Sequence, residues 1–200
     1  VIYVTDIYGV PLLLNKLLAD SFATAYPVLM PDLFYGDAVP VSSPEGPALN
    51  LTAWRARHPP ADIDAIMAAT IKYAKEELGA KRIGALGYCF GGKYVPRFLA
   101  SGKGIDVGFI AHPSSLEVGE IEGIAGAISI AAGELDGAFN ATARRIAEDV
   151  LQKKNATYQS TVYSGAPHGF AVRPDLTVQR QKFAKEAAFL QALSWFDGFL

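Results

Sequence analysis

Three residues of this chain have the types and the setting for nucleophilic catalysis: Cys89, Asp136 and His168. Cys89 is the only cysteine and stands at the centre of Gly87-Tyr88-Cys89-Phe90-Gly91. Glycines two positions to either side suit a residue at the tip of a strained strand-to-helix turn, where larger neighbours would crowd the strand and the helix. A side chain presented this way sits at a helix N-terminus, where backbone N–H groups and the dipole favour negative charge. Thiolate is the attacking form of cysteine, and an ordinary thiol ionises near about 8.5. An imidazole within reach can take the thiol proton, and a carboxylate fixes the tautomer and orientation of that imidazole.

The same residues carry plainer readings. A cysteine after a strand is often a small buried hydrophobe, against which the two flanking glycines argue. Gly87 to Lys93 also spells the G-x-x-x-x-G-K of a phosphate loop, but Tyr94 stands where Ser or Thr must ligate magnesium. Asp136 precedes a helical segment and would serve as its cap. Of the three histidines, His58 lies in a proline-rich stretch and reads as a surface or lid residue. His112 ends a strand, as His168 does, but its strand precedes that of Asp136. The order nucleophile, acid, histidine selects His168 as the base and leaves His112 as a pocket-lining or structural residue.

These residues need elements to hold them. Val1–Thr5, Val28–Met30, the run ending at Leu86, Ile105–Ala111, Ala127–Ala132 and Tyr158–Tyr163 read as strands from their apolar and β-branched content. Between them lie helical patterns. Pro11 opens one with Leu13, Leu14, Leu17, Leu18 and Phe22 on a face. Asp62 caps another, with Ile63, Ile66, Met67, Thr70, Ile71, Ala74 and Leu78 as its stripe. Further helices follow the elbow, span Ala138–Lys154, and run from Val178 to Leu200 with Phe189, Leu190, Leu193, Phe196 and Leu200. Strands alternating with helices imply a mostly parallel central sheet with helices on both faces. Cys89, Asp136 and His168 then all fall past the carboxyl ends of strands, where open α/β sheets build their sites. Residues 33–61 carry Pro40, Pro44, Pro47, Pro59 and Pro60 and read as an irregular excursion or lid, with Trp54 to His58 as a short helical cap.

At 200 residues, with 50% hydrophobic and 19% charged residues, the chain suits one domain, 1–200, with a substantial core. A net charge of −2 without a basic run gives no footprint for nucleic acid. No apolar run reaches membrane-spanning length, and one cysteine permits no internal disulfide, as in a reducing, cytoplasmic setting. Nothing implies a metal or a cofactor. A monomer and a homodimer both fit.

Taken together, Gly87-Tyr88-Cys89-Phe90-Gly91-Gly92, Glu134-Leu135-Asp136, His168-Gly169-Phe170, Thr5-Asp6-Ile7-Tyr8-Gly9 and Pro31-Asp32-Leu33-Phe34 resemble the motifs of the dienelactone hydrolase family, over nearly the whole chain. The resemblance implies an α/β-hydrolase fold and a triad of Cys89, His168 and Asp136. It also implies an oxyanion hole from the backbone N–H groups of Ile7 and Phe90, and hydrolysis of carboxylate-bearing lactones or related esters, a small-molecule substrate. Asp6 stands where bacterial-type members carry a glutamate that gates ionisation of the cysteine; it is one methylene shorter, so a weaker gate, or none, is expected. Arg173 follows His168 where such enzymes place an arginine for the substrate carboxylate, and Arg55 is a candidate second cation, with Arg57 as a surface charge. Trp54, Phe34, Tyr35, Tyr88 and His112 are expected around the pocket. The family sheet usually has two strands before the position of Val1, so upstream sequence is expected. A thioesterase and a non-catalytic ligand-binding protein on the same fold are the alternative functions.

Overall fold

The computed structural model describes residues 1–41 and 49–200. Five strands form one sheet in simple sequence order: β1 (Ile2–Val4), β2 (Gly84–Tyr88), β3 (Val107–Ala111), β4 (Ala127–Gly133) and β5 (Tyr158–Tyr163). Every pairing is parallel. The helices are α1 (Leu13–Ala23), α2 (Leu51–Arg57), α3 (Pro60–Glu76), α4 (Gly91–Phe98), α5 (Val118–Gly123), α6 (Ala141–Lys153) and α7 (Gln179–Phe199). No helix among the described residues is long and apolar enough to cross a membrane.

Side chains alternate across the strands, as the pleat requires. Ile2, Val4, Ala85, Ile110, Ile128, Ile130 and Ala132 join one core with α3, α4 and α6. Tyr3, Leu86, Tyr88, Val107, Phe109, Ala111 and Ala131 join a second with α1 and α7. Both faces of β1–β4 are therefore covered, and these strands are mostly apolar on both sides, whereas the edge strand β5 carries Gln159, Ser160 and Thr161 and is only partly buried.

The register aligns the strand ends that matter. Val4 pairs with Gly87, Tyr88 with Ala111, Ala111 with Ala131, and Gly133 with Tyr163. Hence Asp6, Cys89, His112, Asp136 and His168 leave the sheet along one edge.

Several expected elements differ. Val28–Met30 is reduced to a single bridge, Ile2 to Leu29. Leu13, Leu14 and Leu17 are exposed, and α1 buries Asn15, Leu18, Ala19 and Phe22 instead. Helix α1 begins at Leu13, not Pro11. Asp62 lies in the first turn of α3 behind Pro59 and Pro60, so it does not cap the helix. Leu78 lies beyond the end of α3, and Leu190 faces outward on α7. Helix α5 was hidden in a stretch of mixed polarity. Of the excursion 33–61, residues 42–48, with Pro44 and Pro47, lie outside the described residues; the expected short helix around Trp54 is α2.

Helix α4 packs unusually close to β1 and β2. A Cβ on Gly91 would collide with the Val4 carbonyl, and one on Gly87 would lie 2.6 Å from the Gly91 oxygen and 2.8 Å from Val95. Backbone has no cheap way to move aside. Gly91→Ala should therefore lower unfolding free energy by about 3 kcal/mol. Gly119→Ala, where nothing lies within 4 Å, should stay within about 0.5 kcal/mol of the parent. Urea denaturation of the two variants measures the difference.

Candidate active site

The sharp turn after β2 is made by Cys89 itself, whose φ is 50°. A non-glycine residue in that left-handed region costs about 1–2 kcal/mol. It is held by the Cys89 N–H donating to the Ala111 carbonyl at 3.2 Å and the Gly91 N–H donating to the Thr5 carbonyl at 3.0 Å. Cys89 is 6% exposed, with its sulfur turned toward the loop that follows β5.

That loop brings His168 back across 79 residues, and its Nε2 lies 3.0 Å from Cys89 Sγ. On the other side of the ring, Nδ1 lies 2.9 and 3.0 Å from the two oxygens of Asp136. The carboxylate is buried and also accepts the N–H groups of Ala138 at 2.7 Å and Phe139 at 3.2 Å. Asn140, not Asp136, caps α6. With Nδ1–H donated to the carboxylate, Nε2 is left facing the sulfur.

Burial works against charge on His168, but the bonds to Asp136 and then to Cys89 outweigh it and raise the imidazole to about 10. Burial likewise opposes ionisation of Asp136, and its bonds to His168 and to the two N–H groups outweigh it, so its pKa is lowered. An imidazolium beside the sulfur is the arrangement that stabilises a thiolate.

The N–H groups of Ile7 and Phe90 donate to no protein acceptor among the described residues. Ile7 lies in the turn after β1 and Phe90 in the elbow beside Cys89, and the two loops are joined by the Gly91 N–H bond to the Thr5 carbonyl. The Ile7 turn is fixed by a residue that motif reading passed over. Asn15 of α1 is fully buried; its Nδ2 donates to Asp6 Oδ1 at 3.0 Å and to the Gly9 carbonyl at 2.9 Å, and its Oδ1 accepts the Tyr3 hydroxyl.

Asp6, where a weaker gate or none is expected, makes no hydrogen bond to Cys89 among the described residues. It accepts the Tyr8 N–H at 3.1 Å and the Arg173 Nε–H at 3.0 Å. Being short and fully buried, it is committed to this turn. Arg173 lies over the Tyr8 ring at 4.6 Å and against Gly169, so it adjoins the site.

The other expected lining residues fall elsewhere. Tyr88 stacks on Tyr3 inside the core below the sheet edge, and Phe34 is core between Trp54, His58 and Phe90. Trp54 is buried and donates its indole N–H to the Asp37 carbonyl at 2.7 Å. Tyr35 is largely exposed, and so is Arg55 on α2. His58 is not a surface residue: it is buried, 3.0 Å from Asp37, which also holds Arg57. His112 is fully buried against His168 and Phe170, and neither ring nitrogen has a hydrogen-bond partner among the described residues. A groove of about 900 Å³ on the α3–α4–α5 face contains none of these residues; its Arg97 pairs with both Asp64 and Glu120. No group of three or more His, Cys, Asp or Glu placed to hold a metal occurs among the described residues.

Known proteins resemble this chain. A family model described as "Dienelactone hydrolase family" matches residues 1–200. "Hydrolase pyvD" of Aspergillus violaceofuscus is 43% identical over 100% of this chain and 81% of its own length. "Hydrolase tropI" of Talaromyces stipitatus is 41% identical, again over 100% and 81%. The crystal structure of a putative dienelactone hydrolase from Klebsiella pneumoniae superposes with a TM-score of 0.80 at 17% identity, covering 99% of this chain and 86% of that one. At that identity the superposition speaks for the fold alone.

The two neighbouring histidines are shifted in opposite directions. Burial, then the charge of His168, presses His112 down from 6.5 to about 3. Between those values the unfolded chain binds a proton that folded His112 refuses, so stability falls as pH drops through that window. The stabilisation from His168 is full below 6.5 and is lost as pH rises through about 10. His112→Phe should therefore flatten the acid limb, reducing the loss of unfolding free energy between pH 7 and 4.5 by about 2 kcal/mol, read from urea midpoints.

Proposed function

Because this chain belongs to the dienelactone hydrolase family, we propose that it cleaves an activated ester or an enol lactone through a thioacyl-enzyme on Cys89. The observation that carries this reading is the 3.0 Å approach of His168 Nε2 to Cys89 Sγ, with Asp136 behind the ring.

The thiolate of Cys89 attacks the carbonyl carbon, and the carbonyl electron pair moves onto oxygen. The N–H groups of Ile7 and Phe90 receive that oxyanion, where preorganised donors act most strongly. Collapse of the tetrahedral adduct breaks the bond to the leaving oxygen, which takes the proton from His168 Nε2. Water then attacks the thioester. His168 accepts a water proton, the second adduct expels the thiolate, and the carboxylic acid leaves. Asp136 stays ionised throughout and holds the ring in place.

Cysteine narrows the substrate. Thiolate is expelled from a tetrahedral adduct more readily than alkoxide, so the forward path needs a leaving group that departs at least as well. The enolate of an enol lactone or a phenolate qualifies; an amide nitrogen does not. Arg173 gives the site a preference for a carboxylate-bearing substrate. Its Nε is committed to Asp6, and its two terminal nitrogens donate to no protein acceptor among the described residues. An arginine fork suits a carboxylate.

Steady-state hydrolysis of a p-nitrophenyl ester and of an enol lactone tests the reading. Cys89→Ala and His168→Ala should each lower kcat by at least about 10³-fold, and Cys89→Ser should be nearly as poor, since its hydroxyl is far harder to deprotonate. Full turnover by Cys89→Ala would end the proposal, and absence of turnover by the parent on both substrates would favour a ligand-binding role.

A further inference from the structure

We propose that Ser114 is a second hydrogen-bonding partner of the Cys89 sulfur, held in place by Lys93, and that its hydroxyl stabilises the thiolate. The inference rests on Cys89 being the nucleophile and adds a residue that no motif marks.

Ser114 Oγ lies 3.7 Å from Cys89 Sγ. A neutral thiol donates across that gap; a thiolate accepts, since the hydroxyl turns to suit. The hydroxyl has no other protein partner among the described residues. The Ser114 N–H donates to the Cys89 carbonyl at 2.9 Å, so the two residues are tied twice.

The loop that carries Ser114 is strained and clamped. His112 and Ser115 both have positive φ, 38° and 54°. Such conformations persist only where the surroundings over-determine them. Here Pro113 fills the space over Gly92, where a Cβ would lie 2.6 Å from the proline ring. The Lys93 ammonium donates to the Ser115 carbonyl at 3.0 Å and pairs with Glu117 at 2.6 Å and Glu120 at 2.9 Å. Lys93 is itself buried. Both clamps, Gly92 and Lys93, belong to the first turn of α4, immediately after the elbow. One helix start therefore sets the sulfur and the hydroxyl against each other.

Ser114 keeps its own proton throughout. Once the sulfur proton has passed to His168, the thiolate accepts from His168 Nε2–H and from Ser114. On attack the negative charge passes from sulfur to the carbonyl oxygen, and the hydroxyl is released. The titratable and charged groups around the sulfur are His168 with Asp136 behind it, buried His112, the Asp6–Arg173 pair, and the Lys93–Glu117–Glu120 cluster.

The test is the rate of Cys89 alkylation by iodoacetamide as a function of pH. Ser114→Ala removes one oxygen from a half-buried position with no other bond to lose, so the fold is retained. Its low-pH limb should move up by about half to one pH unit, as expected for loss of one weak bond to a charged group. Lys93→Met should move the limb in the same direction, and adding Ser114→Ala to it should give no more than Ser114→Ala alone. His168→Ala should produce a much larger change. A Ser114→Ala profile that superimposes on the parent, while His168→Ala differs, overturns the role of Ser114 and leaves the nucleophile in place. A parent profile indifferent to both substitutions removes the nucleophile as well. An unchanged Lys93→Met profile overturns the tether.

Discussion

The site depends on one long-range contact, the approach of the His168 imidazole to the Cys89 sulfur. Its two ends come from loops 79 residues apart. Neither loop could hold its side chain alone. The sulfur end is set by a strained residue at φ 50°, which survives because α4 starts so close to β1 that only glycine fits at Gly91. The imidazole end is set by Asp136, whose buried carboxylate is offset by two backbone N–H groups as well as by the ring. The parallel register, with all the strand ends on one edge, brings these local solutions together.

Around that contact runs a second arrangement, the turn Asp6–Gly9. A longer acid could lie between this turn and the cysteine. Asp6 instead closes back on its own turn, on Asn15 and on Arg173. Removing any one partner would leave a fully buried carboxylate under-satisfied, a loss typically of about 3–5 kcal/mol where the partner is charged. The acid is thus tied to its own turn, and the ionisable side chain hydrogen-bonded to the sulfur is the His168 imidazole. In this respect the chain differs from the glutamate-bearing pattern it otherwise resembles.

Much of this was legible in the residues. The glycines at 87 and 91 declare a steric need that does not depend on distant sequence, and the order of Cys89, Asp136 and His168 along alternating strands places all three at one edge. What was hidden depends on tertiary partners. Asn15 looks like a polar residue on a helix surface; it is buried because the Asp6 turn needs its donors. Leu13 and Leu17 fit an apolar stripe, yet α1 turns Asn15 and Phe22 inward. His58 sits among prolines and reads as solvated, but it is buried against Asp37 and Trp54. Tyr88 adjoins Cys89 in sequence, but strand alternation sends its ring into the core, against Tyr3. Ser114 carries no pattern at all, since its position follows from Lys93 and Gly92 across the sheet edge.

The central claim is that Cys89 carries the acyl group during turnover. Rapid-quench intact mass spectrometry, with peptide mapping, of the protein reacting with an activated ester tests it most directly. The account predicts a transient species heavier by the acyl moiety alone, located on Cys89, that forms and decays fast enough to account for kcat. Substrate consumed at full rate with no adduct on Cys89 at any time, or with an adduct that never turns over, would contradict it.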